Sequence, residues 1–105
     1  MTGRLSAMLA ELRRGLEEIY GERLVKMVLF GSQARGDAED GSDIDVLVVL
    51  RGEHGPEEEA RADAIAAELS LRNDVVIICM MFSSERYDRE QSPLLINVRR
   101  EGVAI

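Results

Sequence analysis

Leu5, Met8, Leu9, Leu12, Leu16 and Ile19 recur at intervals of three and four residues, with Arg13, Arg14, Glu17 and Glu18 elsewhere on the wheel. That period predicts an amphipathic helix from about Thr2 to Tyr20, stopped at Gly21. The period then changes. "LVKMVLF" (Leu24 to Phe30) is a short apolar run rich in strand formers and reads as a first strand, ended by Gly31. Gln33 to Ser42 is polar, carrying Gly36, Gly41, Asp37, Glu39 and Asp40, and reads as a turn or short helical piece followed by a solvated loop. "DIDVLVVL" (Asp43 to Leu50) is a second strand, nearly all apolar after its first three residues, which predicts burial on both faces and a place in or near the middle of a sheet. After the turn "RGEHG", Pro56 suits the first position of a helix through Arg72, with Glu57, Glu58 and Glu59 complementing its dipole. "DVVIICMMF" (Asp74 to Phe82) reads as a third strand. Ser83 or Ser84 caps a short helix to about Glu90, Pro93 interrupts, and "LLINVRREGVAI" ends the chain as a helical piece and a last short strand.

The order helix, strand, strand, helix, strand, helix predicts an α/β (α+β) fold: a small mixed sheet of three to four strands with helices packed mainly on one face. A length of 105 residues suits a single domain over 1–105. A formal net charge of −7 opposes extended nucleic-acid binding, which depends on clustered Lys and Arg. Cys79 is the sole cysteine, so neither an intramolecular disulfide nor a cysteine metal cluster is available, and a reducing cytoplasm is the expected location. Charges at Arg4, Glu11, Arg13 and Arg14 break any signal-peptide core, and no apolar run approaches the ~20 residues of a membrane span.

Candidate chemistry concentrates between the first two strands. Strand alternation places Asp43 and Asp45 on one face, with Cα atoms roughly 6.5 to 7 Å apart. Two carboxylates that close repel unless a cation lies between them, and oxygen-only donors suit a hard one, Mg²⁺ or Mn²⁺ in its place. Mg²⁺ keeps room for water and substrate phosphate, which points to a phosphate-bearing substrate. Gly31 lets backbone N–H groups approach a phosphate, Ser32 adds a hydroxyl, and Arg35 adds a permanent charge. The bland alternatives are a plain turn at Gly31-Ser32 and a surface ion pair of Arg35 with Asp37 or Glu39.

"FGSQARG" followed after a polar spacer by "SDIDVLVV" resembles the signature of the DNA polymerase β-like nucleotidyltransferase superfamily, in its minimal nucleotidyltransferase (MNT) branch. Phe30, Gly31 and Ser32, ten intervening residues, and Asp43, Ile44, Asp45 and Val46 carry the resemblance; "INVRREGVAI" is similar to tails of small members. The resemblance implies the nucleotidyltransferase fold, with divalent metals on Asp43 and Asp45 and phosphates at Gly31 and Ser32. It also implies a third carboxylate on the next strand, where Asp74 is the candidate for a metal ligand and catalytic group. Asn73 stands before it where the family has an apolar residue. The implied reaction moves a nucleoside monophosphate, AMP above all, from an NTP such as ATP to a hydroxyl acceptor. In MntA-like antitoxins of HEPN/MNT toxin–antitoxin pairs the acceptor lies on a helical HEPN-type partner protein, some antitoxins adding AMP to a tyrosine of the toxin. Two alternatives stay open: a non-catalytic nucleotide-binding or contact-acting module with an incomplete site, and a metal-dependent phosphohydrolase. A homo-oligomer is compatible with either class. His54 reads as a loop residue, and Cys79, Met80 and Met81 as core.

Overall fold

Why the two central strands pair, and which ends they bring together, follows from their apolar positions. The computed structural model describes residues 3–39 and 41–105, so the expected helix start at Thr2 and the loop acid Asp40 lie outside the described residues. Helix α1 (Gly3–Tyr20) is followed by a 3₁₀ turn (Gly21–Arg23) and strand β1 (Leu24–Phe30), then the short helix α2 (Ser32–Arg35) and strand β2 (Ile44–Leu50). Helix α3 (Pro56–Asn73), strand β3 (Ile77–Ser83), helices α4 (Ser84–Arg89) and α5 (Pro93–Glu101) and the two-residue strand β4 (Val103–Ala104) complete the chain. The sheet order is β3-β2-β1-β4, with β1 antiparallel to β2 and β4, and β2 parallel to β3.

β2 is central, as its uninterrupted apolar run predicts. Ile44, Val46, Val48 and Leu50 face one side, where they pack with Met27 and Leu29 of β1 against Leu9, Leu12 and Leu16 of α1 and Ala62, Ala66 and Leu69 of α3. α1 and α3 come close where Gly15 passes Ile65, a Cβ at Gly15 standing 2.8 Å from Ile65 Cδ1. Leu47 and Val49 face the other side, with Val28, Phe82, Tyr87, Leu95 and Val98. The two long helices thus share one face as expected, and the short α4 and α5 cover part of the second. Both C-terminal helices are capped by serines: Ser83 Oγ accepts from the Arg86 N–H at 3.2 Å and Ser92 Oγ from the Leu95 N–H at 3.3 Å, with Pro93 opening α5. No helix among the described residues is long and apolar enough to cross a membrane.

Gly102 ends α5 where no side chain fits. A Cβ there would stand 2.4 Å from both the Val98 carbonyl oxygen and Val28 Cγ1, although its backbone angles are ordinary. Gly102→Ala should therefore lift α5 from β1 and cost ~1–3 kcal/mol, the usual range for overpacking. Urea unfolding measures it, and a midpoint equal to that of the unsubstituted protein would contradict the packing described.

Cys79 lies in β3 against the α1/α3 core, and burial pushes its thiol up to about 12. The thiolate is the reactive form, so labelling by a disulfide reagent at pH 8 should run on the order of 10³-fold slower in the folded protein than in urea. Comparable rates in the two states would show that the thiol is open to solvent.

Candidate active site

Strand β1 ends at Phe30, which pairs with Asp45 at the start of β2. Gly31 then turns the chain with φ 74° and ψ −154°, a conformation that only glycine adopts readily. The turn brings backbone against carboxylate: a Cβ on Gly31 would lie 2.6 Å from Asp45 Oδ2. Gly31 C=O accepts from the N–H groups of Ala34 and Arg35, at 3.2 and 3.1 Å, which closes the single turn of α2. The N–H groups of Ser32 and Gln33, the first of α2, have no acceptor among the described residues.

Asp43 is exposed and Asp45 partly buried at the entrance to β2. A turn in which Ser42 Oγ accepts from the Glu39 N–H at 2.9 Å, and the Ser42 N–H donates to the Glu39 carbonyl at 3.0 Å, sets the approach to Asp43. Burial, and then the negative charge of Asp43, push the Asp45 carboxyl above the ordinary carboxylate range. Neither aspartate forms an ion pair with Lys, Arg or His among the described residues. A carboxylate raised by burial and by its neighbour's charge, with no protein cation beside it, fits a hard divalent ion. The described residues contain no group of three His, Cys, Asp or Glu placed to hold a metal. The pair would then give two ligands and leave the other positions to water and phosphate oxygens, which Mg²⁺ accepts readily.

Asp74 does not join Asp43 and Asp45. The expected third strand begins three residues late, at Ile77, because α3 runs on through Asn73 and Asp74 forms its C-cap in the left-handed region at φ 54°, ψ 48°. Its N–H donates to the Ser70 carbonyl, and aspartate is one of the few side chains that tolerate this conformation. Asp74 is exposed at the end of the helix. In the parallel register the residue beside Asp45 is Ile78, a neighbour that inspection of residue types alone misses because nothing in an apolar run marks its register.

Arg35 reaches away from the aspartates, its Nε 3.2 Å from Asp37 Oδ2 and its Nη1 3.7 Å from Glu101 Oε2 of α5. All three side chains are largely exposed, so these contacts hold the guanidinium weakly. The partner Glu101 comes from the far end of the sequence and carries no local signal of this role. His54 is partly buried rather than free in its loop, Nδ1 lying 2.6 Å from Glu59 Oε1.

The sequence profile of the nucleotidyltransferase domain family matches residues 9–103. The chain is similar to two Methanocaldococcus jannaschii proteins. It is 33% identical over 70 residues, 67% of this chain and 71% of the relative, to "Putative protein adenylyltransferase MJ0141". It is 34% identical over 80 residues, 76% of this chain and 75% of the relative, to "Putative protein adenylyltransferase MJ0604". Among solved structures, one described as a putative minimal nucleotidyltransferase superposes with a TM-score of 0.61 at 25% identity, covering 96% of this chain and 95% of the other. A toxin–antitoxin structure with AMP-PNP superposes with a TM-score of 0.60 at 20% identity, covering 89% and 68%, a likeness of fold.

Proposed function

Because this chain belongs to the nucleotidyltransferase domain family, we propose that it is a Mg²⁺-dependent nucleotidyltransferase that moves AMP from ATP to a hydroxyl on a partner protein in the cytoplasm. One observation carries the proposal: the glycine turn after β1 lies directly against the Asp45 carboxylate. Groups suited to phosphate and groups suited to a divalent ion therefore share one small space. Gly31 keeps the backbone close, and Ser32 supplies N–H and hydroxyl donors toward the β- and γ-phosphates. Arg35, held only by exposed ion pairs, is free to turn from Asp37 to a phosphate oxygen. Asp43 and Asp45 would hold the metal, whose chemistry is charge neutralisation at the transferring phosphoryl group. The likeness to a toxin–antitoxin structure supports a toxin as the partner, the sequence resemblance implies one of the HEPN type, and Asp74 would serve as third ligand only if the end of α3 rearranged.

The test is incubation of the purified chain with each α-labelled NTP, Mg²⁺ and its genetically neighbouring protein, beside titration calorimetry of ATP with and without Mg²⁺. Label on the partner, with ATP preferred and Mg²⁺ required, is the expected result; tight metal-dependent binding without transfer to any acceptor would overturn catalysis. The second reading, a contact-acting module with an incomplete site, draws on Ile78 standing where a carboxylate would complete the metal set. Under it, Asp43→Asn with Asp45→Asn leaves neutralisation of the partner intact.

A further inference from the structure

The two edges of the sheet are treated differently. β4 is two residues long, and beyond it the Ile105 N–H donates to the Met27 carbonyl at 3.0 Å while Arg13 Nη1 donates to the Ile105 carbonyl at 2.6 Å. That edge is short and closed. β3 is seven residues long, "IICMMFS", without a charge, a proline or a break in its register with β2. Proteins blunt exposed edges with such devices, and an edge without them is available for pairing. Ile44 N–H donates to the Val76 carbonyl, so Val76 and Ile78 turn their backbone groups toward β2 while Ile77, Cys79 and Met81 turn theirs outward. Ser70 Oγ accepts from the Ile77 N–H at 3.0 Å. The amide groups of Cys79 and Met81 have no outward partner among the described residues.

Apolar surface continues past this edge. Leu71 is 86% exposed, Val76 53% and Ile78 38%. Leu71 and Val76 line, with Ala67, Ser70, Asp74 and Val75, an open depression of about 540 Å³ between the end of α3 and the start of β3. Asp74 lines the depression and has no ion pair among the described residues, and Asp43 and Asp45, likewise without ion pairs, stand at the head of the neighbouring strand β2; of the nearby cations, Arg72 is occupied by Glu11 at 3.1 Å and Glu68 at 3.7 Å, and Arg4 donates to the Asn73 carbonyl. A partner suited to this surface is therefore extended, apolar and basic.

Its position relative to the carboxylates gives it a role. Phe30 and the glycine turn flank Asp45 on the β1 side, and Ile78 flanks it on the β3 side. If pyrophosphate leaves from the β1 side, an in-line attack comes from the β3 side. We propose that the acceptor hydroxyl is carried by an extended apolar and basic polypeptide segment that docks along the free edge of β3, over Leu71, Val76 and Ile78. This rests on the nucleotidyl-transfer function proposed above. The hydroxyl oxygen bonds to the α-phosphorus as the bond from that phosphorus to the bridging oxygen breaks; pyrophosphate leaves, and the hydroxyl proton passes to water at the open side of the site.

The probes are synthetic peptides in which one tyrosine or one serine is flanked by Val, Leu, Lys and Arg, isomers with Glu in place of the basic residues, and glycerol and adenosine as non-peptide alcohols. With α-labelled ATP and Mg²⁺, the apolar–basic peptides should be labelled at least ~10-fold more efficiently than the others, a difference of ~1.4 kcal/mol. Leu71→Glu, on an exposed helix position, and Met81→Pro, which removes an outward N–H and no ladder bond, should each raise the peptide KM ~10-fold with ATP affinity unchanged by calorimetry. Equal labelling of all alcohols, an unchanged KM in both variants, or ATP binding with no peptide labelled would each overturn the docking proposal. So would sedimentation showing a dimer that Leu71→Glu converts to a monomer, which would assign the edge to a second copy of the chain. Failure to bind ATP at all would instead remove the nucleotidyl-transfer function beneath it.

Discussion

Asp45→Asn should sharply reduce metal-dependent transfer and at the same time stabilise the metal-free protein. The two effects have one origin. In the folded chain burial and the neighbouring Asp43 charge raise the Asp45 pKa, so ionising this group costs more in the native state than in the unfolded one. Its favourable contribution is present below the unfolded value of about 3.9 and is lost as pH rises through the higher folded value. At neutral pH the metal-free protein bears the whole cost, and an uncharged amide of the same shape removes it. Thermal unfolding without divalent ions should therefore give a higher Tm at pH 7 for the variant than for the unsubstituted chain. The difference should narrow as pH falls from the raised value toward about 4. Mg²⁺ should stabilise the unsubstituted chain, because it relieves the same repulsion, and leave the variant unmoved. Transfer should fall by on the order of 10³-fold, since charge neutralisation by a bound metal is worth several kcal/mol. A variant that is less stable at pH 7, or that keeps its response to Mg²⁺, would show that the aspartates are held by something other than a missing cation.

The features that place this site were open to inspection in unequal measure. β1 begins and ends where the apolar run does, and β2 differs from its expected start only at Asp43. Position in the sheet was legible too, because a strand apolar on both faces must be covered on both. The same run carried a further message that period alone leaves unread: Leu47 and Val49 require a second layer, which α4 and α5 supply. The start of β3 was hidden by competition between two signals. "NDVVIICMMF" reads as one apolar strand with an acid at its head, but Asn73 Nδ2 donates to the Leu69 carbonyl and Asp74 caps the helix, so the helix claims both residues. That shift of three positions moves the candidate third carboxylate out of the sheet and sets Ile78 beside Asp45. Parallel register is fixed by contacts across the whole sheet, and no short-range pattern encodes it. Arg35 shows the same limit, since its partner Glu101 lies on the last helix.

Gly31→Ala is the substitution that should most damage the site without touching a charged group. Two penalties combine. At φ 74° and ψ −154° a residue with a Cβ is strained, at a cost of ~1–3 kcal/mol. The new methyl would also lie 2.6 Å from Asp45 Oδ2, well inside any real contact. The obstructing atom is the end of a side chain, so the carboxylate can yield, but only by leaving the position it shares with Asp43. If that oxygen holds the proposed metal, displacing it by about 1 Å is enough to cost ~10²-fold in rate. If instead the backbone yields, the turn opens and the unpaired N–H groups of Ser32 and Gln33 shift. The two responses differ in what they spare. A displaced carboxylate weakens Mg²⁺-dependent stabilisation while ATP still binds in the absence of metal; an opened turn weakens nucleotide binding with or without metal. Thermal unfolding with Mg²⁺ alone and calorimetry with ATP alone separate them, and Gly36→Ala provides the reference. Gly36 has a similar positive φ of 81°, but no atom lies within 4 Å of where its Cβ would stand. Its ψ of 11° puts it in the left-handed helical region, a milder strain of ~1–2 kcal/mol without the clash. Equal activity losses at Gly31 and Gly36 would mean that the contact with Asp45 adds nothing; a far larger loss at Gly31 would tie the site to this glycine's own conformation and to the carboxylate it faces.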